Sequence, residues 1–463
     1  MFRSEDIEKI KLNINFLKDK AVEEYKTLYE PTLTEISEVY NIIKKYIIKK
    51  KRVVYGGFAQ NLLLKVKNPD IAFYRQIGEA CYNWPDLADI DFYSTEPLKD
   101  LHELTEELYD NKFKYVEGKE AVHEGTFKIF INFINYCEIT YIPTNVFDNL
   151  PIMNVDNILC VHPHFMMVDA YRILTDITSN FRWEKVISRF NKLIQNYPIN
   201  ESLVDSNINI KLLWNTVDFD VLKFIRNNII KKSKLIVVGF YAYDYFTKKQ
   251  NENDMIKKYP YYELISSELQ HDTLKIYNLL VKQYEKKNIK VKEYNKFFQF
   301  LDKKVEFYYN NNLILILHGN NEKCIVYNYS NKKKTYFGTF NLVFMYLLFS
   351  YYYYYINKDK KYVEFYDVLI SKLFYNKIKY LNKRGINVLD KSPFQDFTYK
   401  CIGFPVDQLR QSFLEGYKKK NLGKKIKYNY TPSGKNKCPP NIVYANTSGN
   451  QIFSEKNLIL KNM

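Results

Sequence analysis

Cysteine is sparse and shows no pairing pattern: six residues in 463, at Cys81, Cys137, Cys160, Cys324, Cys401 and Cys438, with no C-x-x-C anywhere. That spacing argues against a zinc site and a disulfide framework and favours a reducing compartment. No secretory leader is expected, because Glu5, Asp6 and Glu8 stand where a leader needs basic and then apolar residues. No apolar run is built to cross a bilayer. The most apolar stretch, Phe340 to Ile356, is interrupted by Asn341, Ser350 and five consecutive tyrosines, and reads as a buried helix. These absences predict an intracellular protein without membrane contact.

Acidic residues are in deficit, 52 against 69 Lys and Arg, for a formal charge of +17. That balance suits a polyanionic partner, although AT-rich codon usage, with Lys, Asn, Ile and Tyr abundant throughout, produces the same excess. Clustering says more. From Gly416 to Gln451 there is no acid, while Lys418, Lys419, Lys420, Lys424, Lys425, Lys427, Lys435 and Lys437 are interleaved with Tyr417, Tyr428 and Tyr430. Lysines offer phosphate contacts and tyrosines offer flat faces for stacking, a combination that fits a single-stranded nucleic acid. A free basic tail is compatible with the same residues.

What the chain does contain is a concentrated motif between Arg52 and Ser94. Val53-Val54-Tyr55-Gly56-Gly57-Phe58-Ala59-Gln60-Asn61-Leu62-Leu63-Leu64 reads as a short strand, a glycine turn and an apolar-periodic helix, an arrangement that presents bare backbone N–H groups to a phosphate. Ala88-Asp89-Ile90-Asp91-Phe92-Tyr93-Ser94 reads as a strand in which Asp89 and Asp91 share one face while Ile90 and Phe92 face the core. Two carboxylates about 5 Å apart repel by roughly 3 kcal/mol at an effective dielectric of about 20, so the pair wants a divalent cation. A third acid is available. Glu138 is the only one in the β-rich stretch Phe127 to Ile142.

A glycine turn, a carboxylate pair and one carboxylate on a neighbouring strand form a two-metal phosphoryl-transfer set. These residues resemble the polymerase β nucleotidyltransferase superfamily. Tyr55-Gly56-Gly57-Phe58 followed by Asp89-Ile90-Asp91-Phe92-Tyr93-Ser94 resembles, more closely, the poly(A) polymerase catalytic subunits of poxviruses and giant viruses. Three departures stand out. Gly57 replaces the usual serine, the spacing from Gly57 to Asp89 implies an insertion around Asp70 to Trp84, and the third carboxylate is Glu138 where Asp is usual.

Elsewhere the pattern is helical. Ile7, Ile10, Ile14, Leu17, Ala21 and Leu28 make a stripe on a helix over residues 5–29, and Thr34 to Lys49 forms a second helix running into Lys49-Lys50-Lys51-Arg52. Val161-His162-Pro163-His164 reads as helix entry, since proline sits between the histidines and no further ligands match. Resemblance to the superfamily implies cations after the catalytic strands to grip a triphosphate. Arg182 and Lys185, at i, i+3 spacing, are candidates, with Arg172 as another, and plain surface charge is the competing reading.

An internal echo is present. Leu235 to Phe246 repeats the pattern of Val53 to Leu63, and Glu263 to Glu268 lines up with Asp91 to Glu96. In this copy Phe240 falls at the place of Gly57, Tyr261 at that of Asp89 and Ile325 at that of Glu138, so two metals cannot be held. Further helix is expected from Phe394 to Lys400 and from Val406 to Leu414.

The expected fold is α+β: an N-terminal helical region (1–50), a polymerase β-like nucleotidyltransferase domain with a mixed sheet (51–200), a degenerate nucleotidyltransferase-like domain with a helical extension (201–415) and a basic, flexible tail (416–463). The resemblance implies template-independent transfer of AMP from ATP to RNA 3′ ends, as in mRNA polyadenylation, with Mg²⁺ or Mn²⁺ held by Asp89, Asp91 and Glu138 and the triphosphate held by Gly56, Gly57, Arg182 and Lys185. It implies a second copy or a processivity subunit as partner, and host cytoplasm, viral factory or virion as location. A non-catalytic RNA-binding subunit, or a terminal transferase adding CCA or uridylate, stays open on the residues alone.

Overall fold

A computed structural model describes residues 2–28, 32–74, 89–121, 125–206, 219–247, 260–294, 301–320, 323–403, 417, 428–432 and 455–456. The chain forms two compact units. One comprises Met1–Tyr141, Asn154–Cys160 and Lys427–Asn441, the other Ile142–Met153, Val161–Ile426 and Ile442–Met463.

In the first unit, α1 (Ser4–Leu28) keeps Ile7, Ile14 and Leu17 of its stripe exposed, whereas α2 (Leu33–Lys50) buries Ile36, Val39, Tyr40, Ile43, Tyr46 and Ile47 at helical spacing. Thr32 caps α2 by accepting from the Glu35 N–H at 3.2 Å, and Lys51, in the left-handed region, ends it. There follow β1 (Val53–Tyr55), α3 (Gly56–Lys67), β2 (Ile90–Ser94), α4 (Pro97–Asp110), β3 (Glu117–Glu120), β4 (Thr126–Ile131), β5 (Ile134–Tyr141), β6 (Ile152–Val155) and β7 (Ile158–Val161); the short α5 (Thr144–Phe147), between β5 and β6 in the chain, belongs to the second unit. The sheet order is β16-β3-β4-β5-β2-β1-β7-β6, where β16 is Asn429–Tyr430. β2 runs parallel to β5 and antiparallel to β1, so the sheet is mixed. One face, with Ile90, Phe92, Ile129, Cys137 and Ile139, is fully buried. α4 covers it with Leu101, Leu104 and Leu108, and α2 is clipped to α4 through Asp100, which accepts from the Tyr46 hydroxyl and the Arg52 guanidinium, both at 2.8 Å.

The second unit contains α6 (Pro163–Leu174), α7 (Trp183–Asn196), α8 (Phe219–Phe224), β8 (Ile236–Val238), α9 (Gly239–Thr247), β9 (Tyr262–Ser266), α10 (Leu269–Gln283), β10 (Ile289–Tyr294), β11 (Lys304–Tyr309), β12 (Asn312–Gly319), β13 (Ile325–Ser330), β14 (Thr335–Gly338), α11 (Phe340–Ile356), α12 (Lys360–Arg384), β15 (Cys401–Ile402) and β17 (Glu455–Lys456). Its sheet order is β15-β13-β14-β8-β9-β12-β11-β10-β17. Set beside the first sheet, β10-β11-β12-β9-β8-β14-β13 repeats β3-β4-β5-β2-β1-β7-β6. Details repeat too: Ser94 Oγ accepts from the Glu96 N–H at 2.9 Å and Ser266 Oγ from the Glu268 N–H at 3.0 Å. α11 buries nearly its whole length, as an all-round apolar helix must. No helix among the described residues is long and apolar enough to cross a membrane.

Four sequence expectations need correction. Cys324 and Cys401 form a disulfide with their Cα atoms 5.3 Å apart, across 77 residues, because β13 and β15 pair directly at Val326 and Cys401. Residues 394–400 are not helical: Gly385, in the left-handed region, ends α12 and Pro393 follows. The counterpart of Glu138 is Ile316 on β12, not Ile325, since Glu263 pairs with Ile316 as Asp91 pairs with Glu138. Within the expected free tail, Asn429–Tyr430 adds an edge strand to β3 and Glu455–Lys456 adds one to β10. Tyr430 is buried against His102 and bonds Glu106, so it is not available for base stacking. Val406 to Leu414 and Lys418, Lys419, Lys420, Lys424, Lys425 and Lys427 lie outside the described residues.

Candidate active site

β1 ends at Tyr55 and the chain reverses through Gly56, at φ +67, into α3. Glycine is required at that point. The backbone is left-handed, and a Cβ would overlap Asp91 Oδ2. Gly57 is the second residue of the helix and half-exposed. Asp91 lies opposite Tyr55 across the antiparallel pair and beside Glu138 across the parallel one. Asp89, two residues earlier, falls on the same face. One oxygen from each of Asp89, Asp91 and Glu138 lies within 4.8 Å of the others, and all three side chains are half-buried.

The surroundings are ordered. Asn135 Nδ2 donates to Asp89 Oδ2 and to Glu138 Oε1, at 3.3 Å each, and Lys128 Nζ donates to Glu138 Oε1. The Tyr55 ring stacks on Tyr93 at 4.0 Å, and its hydroxyl is 2.7 Å from Thr140 Oγ1. Burial, and then the Asp91 charge, push the Tyr55 phenol well above its ordinary range. The same two causes push up the thiol of buried Cys137 behind the site. Tyr55 therefore stays a neutral hydroxyl beside the carboxylates.

Arg182 closes the 3-10 turn Ile177–Arg182, and Lys185 is exposed in the first turn of α7. Arg182 acts on Asp169, the residue that Arg172 grips at 2.6 and 2.9 Å. Burial pushes the Asp169 carboxyl up, but Arg172, Arg182 and Lys323 outweigh it and hold the group below the usual range. Lys323, 3.4 Å from Asp176, is pushed down to about 8 by burial and then by Arg172.

Comparison with known proteins places the chain in a family. A family model described as "Poly(A) polymerase catalytic subunit" matches residues 41–180, and one described as "APMV, Putative poly(A) polymerase, catalytic subunit, C-terminal" matches residues 191–462. The crystal structure of the Megavirus polyadenylate synthase is similar at a TM-score of 0.83 and 30% identity, covering 93% of this chain and 86% of that one. The "Putative poly(A) polymerase catalytic subunit" of Acanthamoeba polyphaga mimivirus is 31% identical over 476 residues, 93% of this chain and 80% of the relative. The chain belongs to the poly(A) polymerase catalytic subunit family. A further relative of that description, from African swine fever virus, is 27% identical over 232 residues, half of this chain and 45% of the relative. The resemblance carried by Tyr55 to Phe58 and Asp89 to Ser94 thus holds.

Within this family member the second unit repeats the framework of the site without its three carboxylates. Gly239, at φ +62, repeats Gly56, and a Cβ there would come 2.7 Å from Glu263 Oε1. Tyr261 stands for Asp89 and Ile316 for Glu138. Phe240, at the place of Gly57, lies face to face with Tyr366, which continues into Tyr354 and Tyr362. Glu263 is left with His318 at 3.5 Å, both nearly fully buried. Only the first unit, among the described residues, gathers three possible metal ligands. An all-carboxylate donor set at this spacing fits hard divalent ions such as Mg²⁺.

Reading the sequence missed Lys128, Asn135 and Tyr55. Their signal lies in strand register. Lys128 faces Glu138 across a two-residue hairpin whose corners, Asn132 and Phe133, are both left-handed.

Proposed function

We propose that the protein is a template-independent polynucleotide adenylyltransferase, adding AMP from ATP to RNA 3′ ends as the catalytic subunit of a poly(A) polymerase. The reading is carried by Asp89, Asp91 and Glu138 converging behind a glycine turn in a chain of this family. Asp89 and Asp91 would hold two Mg²⁺ or Mn²⁺ ions, with Glu138 joining them on one. Bound there, such ions offset phosphate charge and acidify the 3′-hydroxyl. The reaction joins the 3′-oxygen to the α-phosphorus and releases pyrophosphate.

Gly56 and Gly57 open the N-terminus of α3, where backbone N–H groups suit the β- and γ-phosphates. With glycine in place of serine at position 57, backbone donors carry that contact. Arg182 and Lys185 grip the triphosphate in this reading, a role that rests on the family resemblance; Arg182 stands with Arg172 and Lys323 around Asp169. Lys418, Lys419, Lys420, Lys424, Lys425 and Lys427 track the RNA backbone, supported by the acid-free composition around them. Adenine preference rests on the family. Residues 51–200 form the catalytic domain in this reading and 201–415 its degenerate copy, with a second copy or a separate subunit conferring processivity in the infected cell.

The test is primer extension with each NTP supplied alone, on oligo(A) and on a random primer, with and without Mg²⁺. ATP-dependent, metal-dependent extension on both primers is expected. Extension by UTP or CTP in place of ATP, or none with either Mg²⁺ or Mn²⁺, refutes the reading.

A further inference from the structure

Across one row of the first sheet, Lys119 on β3, Lys128 on β4, Glu138 on β5, Asp91 on β2 and Tyr55 on β1 are successive register partners. Register partners share a face and hold their Cβ atoms about 5 Å apart. Lys128 is thereby fixed beside the acidic triad by the fold itself. Its ammonium donates to Glu138 Oε1, with Lys128 30% and Glu138 21% exposed, so the contact is partly shielded from water. Lys119 differs: its side chain is 45% exposed and its ammonium pairs with Glu117.

The second unit supplies an independent comparison. The register partner of Ile316 is Glu306, so the position of Lys128 reverses its charge where the third carboxylate is absent. Glu306 is satisfied locally by Lys304 and the Tyr308 hydroxyl, both at 2.6 Å. The cation therefore accompanies the carboxylate and is not a requirement of the strand.

Resting on the metal-binding reading of Asp89, Asp91 and Glu138, the geometry points to Lys128 as a tethered competitor for the divalent ion at Glu138. An ammonium and a divalent ion held on the same carboxylate repel each other at that distance, so each weakens the other's hold. An ion arriving at Glu138 displaces Lys128 or binds against its charge. Lys128 is thus a positioning residue: it steadies Glu138 within the acidic cluster and keeps metal affinity on that side low until phosphate oxygens add their own ligands. Asn135, bonded to both Asp89 and Glu138, keeps the two carboxylates in place when the ammonium leaves.

The experiment titrates Mn²⁺ into the full-length protein without nucleotide and follows free Mn²⁺ by EPR, for the parent, Lys128→Met, Lys128→Gln, Lys128→Arg and Lys119→Met. Thermal melting confirms that each variant is folded, and the two neutral replacements guard against one of them failing. Neutralising Lys128 is expected to tighten Mn²⁺ binding about tenfold and to lower the metal concentration for half-maximal extension, with Lys128→Arg and Lys119→Met near the parent. Unchanged or weaker binding in both neutral variants overturns the inference and leaves the triad assignment standing. Equal tightening in Lys119→Met also overturns it, as a general charge effect. If neither the parent nor the neutral Lys128 variants take up Mn²⁺, even with ATP added, the triad assignment falls as well.

Discussion

Asp91 Oδ2 fills the space that a Cβ on Gly56 would need, so the carboxylate and the turn that begins α3 are built against each other. Gly56→Ala should therefore do two things: cost about 1–2 kcal/mol for a left-handed alanine, and push Asp91 out of line. Extension should fall about a hundredfold per folded molecule. Gly239→Ala, at the matching turn of the second unit, should show a similar loss in melting temperature with unchanged extension per folded molecule. Equal activity losses in both would disconnect the Gly56 effect from Asp91.

Asp91→Ala removes one of the three clustered carboxylates. Extension should drop more than about a hundredfold, with RNA retained in a gel-shift assay. Activity near the parent level would show that the triad is not the reaction centre.

Asp100 is 1% exposed and holds α2 to α4 through Tyr46 and Arg52. Arg52→Ala leaves that carboxylate buried without its cation and should destabilise the protein by about 3–5 kcal/mol in urea unfolding. Replacing both as Arg52→Met with Asp100→Leu should recover much of the loss. Failure of the double variant to recover would mean that Arg52 acts through packing alone.

His162 caps α6 by accepting from the His164 N–H at 3.2 Å. Burial, followed by the neighbouring His164, pushes its imidazole down to about 4. The unfolded chain binds this proton near pH 6.5, so the stabilisation is complete above pH 6.5 and is lost as pH falls toward 4. After discounting for partial exposure, the loss should be about 2 kcal/mol. His162→Asn keeps a capping acceptor without the titration, so melting temperature should depend less on pH between 7 and 4.5. An unchanged slope would assign the effect elsewhere.

The disulfide between Cys324 and Cys401 closes 77 residues of sequence. Reduction, or Cys401→Ser, should lower unfolding free energy by about 2–4 kcal/mol. Identical unfolding curves with and without reductant would indicate that the bond contributes nothing.

Short-range chemistry was legible in the sequence. Alternation alone put Asp89 and Asp91 on one face, and the glycine pair marked a sharp entry into α3. The repeat was visible because Leu235 to Phe246 preserves the strand, glycine and helix pattern. What escaped depends on register between strands. The β4–β5 hairpin turns at Asn132-Phe133 without a glycine, so nothing marked Lys128 as the neighbour of Glu138. The same difficulty placed Ile325 where Ile316 belongs, since β12 is an apolar run without an acid to count from. Tyr430 looked like a solvent-facing tail residue because an edge strand of two residues has no period to read.

The column from Phe240 through Tyr366 to Tyr354 also bears on what the second unit can accommodate. Restoring acids at Tyr261 and Ile316 would not by itself rebuild the site, because Phe240 of α9 occupies the place of Gly57, with Tyr366 of α12 and Tyr354 of α11 stacked behind it. A metal site there would need the Phe240 ring removed as well as both acids supplied.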